Sequence, residues 1–328
     1  MVPRLLGLHH VTATVDDAQV DLDFAVATLG LRLVKKTVNF DNHNVYHFYY
    51  GTERGLPGTI WTTFPYRGQG VRAGRRGAGQ VSATAFSVPR GALGAWRDRF
   101  AAHGVAARAG APRFGEESLT FGDASGLAFE LVESADDARA PWAEGGVEAG
   151  AAIRGVHSVT LAVPALDPTL EMMTRLLGFE VVGEGDGRTR VAAGGRGPGQ
   201  IVDVVASPSP AGQNGLGTVH HVAFAIGSAE EQLDVREQLL SHGLRVTPVM
   251  DRCYFHSIYF REPGGVLFEV ATVAPGFTAD ESLSSLGGGL KLPPWEEPHR
   301  AAIEAALPLV TRPVAGAVAA APGGAGPA

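Results

Sequence analysis

The sequence predicts an α+β protein built from four related βαβββ modules. Three observations predict it: segments of about 55 residues recur with one layout, each predicted helix stops at a glycine, and the strands alternate small and bulky side chains. The modules span 5–66, 77–134, 153–207 and 215–273.

The second and fourth modules align most clearly. GAGQVSATAFSV (77–88) lines up with GLGTVHHVAFAI (215–226), and the helical WRDRFAAHGV (96–105) with VREQLLSHGL (235–244). SLTFGDASGLAFELV (118–132) then matches SIYFREPGGVLFEVA (257–271). The first and third modules match at their openings, LLGLHHVTATV (5–15) against IRGVHSVTLAV (153–163), each followed by a helix ending in Leu-Gly-Leu or Leu-Gly-Phe. Gly30, Gly104, Gly178 and Gly243 fall at helix ends, where a left-handed cap favours glycine. Linkers rich in Gly, Pro and charge at 66–78, 134–152 and 207–216 separate the modules. An irregular extension follows over 274–312, with a helix expected at 296–306, and the Ala/Gly/Pro tail 313–328 is expected to be disordered.

Composition narrows the function. With 27 Lys+Arg against 34 Asp+Glu, and no basic stretch interleaved with aromatics, nucleic acid is not an expected partner. Arg67, Arg72, Arg75 and Arg76 sit among glycines and read as a solvated loop. No apolar run approaches the roughly 20 residues needed to cross a bilayer, and the three-part pattern of a signal peptide is missing, so no membrane partner and a cytoplasmic location are expected. The single cysteine, Cys253, excludes an internal disulfide and a thiolate zinc cage, and a nucleophilic role for it is not favoured.

Strand alternation selects a candidate metal site. The opening strand of the first module places Leu8, His10, Thr12 and Thr14 on one side, and His9, Val11, Ala13 and Val15 on the other. In the fourth module His221 joins Ala223 and Ala225 on a small-residue, concave face, opposite the bulky Val222, Phe224 and Ile226 that should pack on a helix. Glu269 joins Leu267 and Ala271 on that concave face, where a carboxylate is costly unless it is paired or metal-bound. Two imidazoles and one carboxylate occupy one face of an octahedral ion and leave three positions open, as in non-haem Fe(II) oxygenases. The equivalent positions in modules three and two are Ser158, Ala83 and Glu130, which predicts that module one pairs with four around a metal and module two with three around none.

Other residues read as structural. His157 matches His9, not His10. His43 and His47 flank Val45 in a strand expected in module one and could sit near the pocket, but surface or packing roles are favoured; the carboxylates of 133–148 are assigned to solvent, and Glu262 with Pro263, Gly264 and Gly265 to a turn.

The motifs LHHVT (8–12), VHHVAF (219–224), DRCYFHSIYFREPGG (251–265) and LFEVAT (267–272), with GFTADESLSSLGGGLKLPPWEEP (276–298), resemble the hydroquinone-type ring-cleaving dioxygenases of the vicinal-oxygen-chelate superfamily. That superfamily also contains glyoxalase I, and the similarity runs from about residue 5 to about 310. The resemblance implies two incomplete barrels of the glyoxalase/bleomycin resistance/dioxygenase fold. It implies one Fe(II) per chain, replaceable by Mn(II), on His10, His221 and Glu269, and an aromatic diol and O2 as substrates. Its polar residues around the metal map onto His9, Thr12, His220, Arg252 and Tyr259, with Tyr259, His220 or Arg252 deprotonating the substrate or stabilising developing charge. Alternation puts Tyr259 with Ser257 on the ligand side. His9 and His220 reach the metal side only if a bulge or a strand start breaks the regular alternation, and Arg252 precedes its strand in a loop. A glyoxalase-like lyase or isomerase is the first alternative, but it would need a second carboxylate, and TIWTTFPY (59–66) has none. A non-catalytic binding protein on the same scaffold is the second. A homo-oligomer is compatible with the sequence.

Overall fold

Every segment opens on a strand of eight to ten residues that leads into a helix. In the computed structural model, which describes residues 5–111 and 113–316, β1 (Leu8–Val15) is buried along its length. Asp17 then caps α1 (Ala18–Asp23) by accepting the amides of Gln19 and Val20, and α1 runs into a π-helical turn at Phe24–Thr28. β2 (Arg32–Asn39), β3 (Asn42–Gly51) and β4 (Ile60–Pro65) complete this segment. The next comprises β5 (Gln80–Pro89), α2 (Leu93–Ala102), β6 (Ala107–Ala109), β7 (Ser118–Gly122) and β8 (Ala128–Ser134). The third comprises β9 (Gly155–Val163), α3 (Leu166–Leu176), β10 (Glu180–Gly185), β11 (Arg188–Ala192) and β12 (Ile201–Ala206). In the fourth, β13 (Thr218–Ile226) leads to α4 (Ala229–Ser241), capped by Ser228, then β14 (Met250–Asp251), β15 (His256–Arg261) and β16 (Leu267–Thr272). Gly30, Gly104, Gly178 and Gly243 end the helical stretches at φ of +69°, +69°, +72° and +80°, conformations that a Cβ would strain.

The strands form two eight-stranded sheets, each curled into an incomplete barrel. One runs β14-β15-β16-β13-β1-β4-β3-β2 and the other β10-β11-β12-β9-β5-β8-β7-β6. Each is joined at its centre by an antiparallel pair, β1 with β13 and β5 with β9. The chain ends therefore close one sheet and its middle closes the other.

Both central seams are bulged. Leu8 and His10 face Phe224 and Ala223, leaving His9 as an extra residue on β1. Thr12 and Ala13 face His221 and Val219, leaving His220 as an extra residue on β13. The same irregularities recur at His157 and Ser82 in the other sheet. They correct the regular alternation expected for β1: Leu8 joins Val11, Ala13 and Val15 in the main core, and His9 packs on Phe255 beside His10.

The main apolar core lies between sheets and helices, with Val222, Phe224, Ile226, Phe268 and Val270 fully buried in it. A smaller cluster of Val34, Tyr49, Tyr254, Phe255 and Phe277 lies under the C-terminal extension. That extension is pinned by the fully buried Lys35, whose ammonium meets Asp280 at 2.5 Å and also pairs with Glu281. The expected helix over 296–306 is regular only as α5 (Arg300–Ala306), after a 3-10 turn at Glu297–His299. Pro298 disfavours helical backbone in the residue before it. Within the expected disordered tail, 317–328 lies outside the described residues.

Candidate metal centre

Three strands deliver three ligand-type atoms to one point. β1 brings His10 Nε2 within 3.2 Å of His221 Nε2 from β13, and Glu269 Oε2 from β16 stands 2.8 Å from His221 Nε2 and 3.3 Å from His10 Nε2. All three residues are buried, and their ligand atoms lie within 4.8 Å of one another. Glu269 Oε1 accepts from Ser257 Oγ, whereas Oε2 is buried without a well-directed hydrogen bond. Burial opposes ionisation of Glu269, but the adjacent His10 and His221 hold its carboxyl well below the usual range. A buried carboxylate oxygen and two imidazole nitrogens converging on one point is the donor set of a divalent cation.

The bulges supply the next layer. His9 Nδ1 lies 2.9 Å from His10 Nδ1, and His220 Nδ1 lies 2.7 Å from His221 Nδ1, so each ligand-type imidazole is held at its far nitrogen by the histidine before it. Burial first, and then the neighbouring imidazole, lowers His9 and His220 to about 3, so both are neutral. Tyr259 pairs in register with Glu269, and its hydroxyl accepts from Arg252 Nε at 3.2 Å. Arg252 reaches over the pocket from the turn before β15 and ends 3.1 Å from Asp41. Thr12 stands behind the cavity wall, with Oγ1 2.7 Å from Thr62 Oγ1.

The cavity in front of this cluster has a volume of about 330 Å³. Of the two histidines that flank Val45, His47 takes the pocket position that the sequence ranked second to surface or packing, and lines the cavity. Its ring lies between Tyr49 and Phe64, with centroids 4.0 and 4.2 Å away, and its Nε2 is 3.0 Å from Thr62 Oγ1. Burial and then His10 and His221 keep it well below the usual histidine range. Phe255, which the sequence offers only as part of the 251–265 motif, packs on both His9 and His10. The signal for His47 was present: a strand alternation that joins it to Tyr49, beside Thr62 and Phe64 on β4. His43 is half-buried and pairs with Glu296 at 3.1 Å. Cys253 has its thiol pushed up to about 12 by burial, which disarms it as a nucleophile. Among the linker carboxylates expected in solvent, Asp137 is instead paired with Arg139 at 2.6 Å, and Arg139 donates to the carbonyls of Gly58 and Val156 across the two sheets.

In the other sheet Ala83 and Ser158 contribute no imidazole, and Glu130 binds the guanidinium of Arg113. His157 is buried, 3.0 Å from Ser158 Oγ, and lowered by burial to about 4.

Paired βαβββ units curled around one buried His-His-Glu cluster define a class. Residues 155–270 match the Glyoxalase/Bleomycin resistance protein/Dioxygenase superfamily. Within it, the chain is 44% identical to "Putative ring-cleaving dioxygenase MhqO" of Bacillus subtilis (strain 168), covering 94% of this chain and 97% of that protein. It is 38% identical to the "Chlorohydroquinone/hydroquinone 1,2-dioxygenase" of Sphingobium indicum, covering 90% and 93%. A crystal structure of a "putative dioxygenase" from Bacillus subtilis superposes with a TM-score of 0.90 at 42% identity, covering 94% of this chain and 99% of that one. The chain belongs to this family of ring-cleaving dioxygenases. Among the described residues, no helix is long and apolar enough to cross a membrane.

Proposed function

We propose that the protein opens a hydroquinone- or catechol-type aromatic diol with O2 at one Fe(II), replaceable by Mn(II), held by His10, His221 and Glu269. The observation that carries this reading is the convergence of His10 Nε2, His221 Nε2 and Glu269 Oε2 at the floor of an aromatic-walled cavity. When bound, Fe(II) supplies an open coordination face where a phenolate oxygen and O2 meet, and a path for electrons from the ring to O2.

The chain's own residues do the rest. Ser257 fixes Glu269 Oε1 and so turns Oε2 to the ligand position. His9 and His220 orient the two ligand imidazoles. His220 is neutral and lines the cavity; its Nδ1 accepts from His221, so its own proton sits on Nε2, which donates to an oxygen in the cavity. Tyr259 accepts from Arg252 and keeps its own proton to donate to an oxygen in the cavity, because burial and then Glu269 raise its phenol above the usual range. Phe64, Tyr49 and Phe255 stack on the ring and exclude water. A glyoxalase-like role is disfavoured by Thr62, which faces Thr12 on the strand beside β1 where a second carboxylate would be needed.

The test is anaerobic loading with Fe(II), followed by O2-uptake assays with hydroquinones and catechols. Stoichiometric uptake is expected, with iron content and activity both lost in His221→Ala. No uptake with any diol, while a hemithioacetal is turned over, would replace this reading with the isomerase.

A further inference from the structure

The rings lining the cavity close on themselves, and the closure gives each a position relative to the ligand pair. From His221 the ring contacts pass to His220 (5.0 Å), Phe64 (6.0 Å) and His47 (4.2 Å). From His10 they pass to Phe255 (5.2 Å), Tyr49 (6.3 Å) and again His47 (4.0 Å). His10 and His221 complete the circuit at 5.3 Å. His47 therefore closes the annulus between Tyr49 and Phe64, on the side opposite the His10–His221 contact.

Its ring is held for a purpose that packing does not require. Tyr49 and Phe64 flank it, and Nε2 is tied to Thr62, which is tied in turn to Thr12. Nδ1 has no hydrogen-bond partner among the described residues and is not sealed into the core. The other polar groups of the wall are engaged or lie elsewhere. Asn39 donates to Tyr66, Asp41 pairs with Arg252, and His220 and Tyr259 flank the ligands instead of facing them.

We propose that His47 binds the second hydroxyl of a 1,4-diol whose first hydroxyl is at the metal. The proposal rests on the dioxygenase reading above and adds a substrate-binding residue to it. In a 1,4-diol the oxygens sit at opposite ends of the ring, so one on the metal directs the other across the annulus to His47. In a catechol both oxygens lie at the metal end and Nδ1 goes unpaired. A phenol can donate to Nδ1 or accept from Nδ1–H, and the Thr62 hydroxyl rotates to suit either tautomer.

The test is anaerobic titration of the Fe(II)-loaded protein with hydroquinone and with 4-methylphenol, in which a methyl replaces the second hydroxyl. The wild type should prefer hydroquinone by about tenfold, the worth of one good hydrogen bond. His47→Leu should erase that preference at unchanged iron content, and His47→Asn, whose amide falls near Nδ1, should restore much of it. Should His47→Leu lose its fold or iron, Thr62→Val replaces it: the imidazole stays but Nε2 is untied, and the preference must fall. A wild-type preference that persists in the folded, iron-loaded variant overturns the proposal, as does a wild type with no preference. The titration contains no O2, so absence of turnover with every diol would fail the dioxygenase reading separately.

Discussion

Arg113 and Glu130 form an ion pair at the place in the second sheet that corresponds to Glu269 and its two imidazoles in the first. Arg113 stands five residues before Ser118, as Arg252 stands five before Ser257, and in both turns the next residue has positive φ (Phe114 +48°, Cys253 +63°). One turn therefore serves two purposes: Arg252 reaches outward to Tyr259 and Asp41, while Arg113 reaches inward and neutralises the retained carboxylate.

The guanidinium already neutralises that carboxylate, and Ala83 and Ser158 stand where the two ligand imidazoles would be, so the second sheet lacks the donor set for an ion. Elemental analysis of loaded protein should give one metal per chain, unchanged in Glu130→Gln and near zero in Glu269→Gln. Arg113→Met should destabilise by about 3 kcal/mol, because Glu130 and the nearby Asp203 lose a buried cation. Two metals per chain in the wild type would refute the assignment.

The repeat made much of this legible in advance. Counting from His10 to Ser158 and from His221 to Ala83 separated a ligand-bearing sheet from one without ligands, and the alternation of β13 and β16 placed His221 and Glu269 on one face. What alternation could not show were the bulges at His9 and His220, because an extra residue in a strand depends on pairing with a partner about 210 residues away. The pocket role of His47 ranks second in the sequence for a related reason: its place in the wall depends on Phe64 of β4, which only the closed sheet brings against it. Arg113 carried no motif, since an arginine in a loop signals nothing until its carboxylate is known.

Ser257 is the support of Glu269, being fully buried and donating to Oε1. Ser257→Ala removes one hydroxyl and frees the carboxylate to rotate. Metal affinity, measured by competition with a chelator, should fall about 10- to 100-fold with little change in melting temperature. Unchanged affinity would mean that packing alone orients Glu269.

Asp21 links stability to pH. It is buried under the first sheet, with Oδ2 accepting from Tyr50 Oη at 2.7 Å and from Thr63 Oγ1 at 2.5 Å. Burial pushes its carboxyl up to about 7, against the lowering by Thr63 and Tyr50, with Asp123 and Asp17 adding to the rise. Below its ordinary value of 3.8 both folded and unfolded chains hold the proton. Between there and about 7 the unfolded chain releases it and the folded one does not, so stability falls as pH rises through that window and is level above it, by up to ~4 kcal/mol. Thermal melts should show the melting temperature dropping from pH 5 to pH 8, and Asp21→Asn should flatten the slope.

Lys35 ties the C-terminal extension to the metal-bearing sheet. Its ammonium is fully buried between Asp280 and Glu281 and lies 4.8 Å from the Tyr254 ring, whose hydroxyl donates to Asp280 at 3.0 Å. Lys35→Met keeps the length of the side chain but strands the buried Glu281 carboxylate, a loss of about 3 to 5 kcal/mol. Limited proteolysis should then cut within 276–290 well before the rest of the chain unfolds. Adding Glu281→Leu should recover much of the stability, since a paired apolar replacement leaves no unpaired charge; no recovery would show that the extension is held by packing. The same variant should weaken metal retention, because Tyr254 adjoins Phe255 in the chain and the Phe255 ring braces His9 and His10. Loss of iron on release of the extension, reversed by Glu281→Leu, would place the strap among the supports of the site.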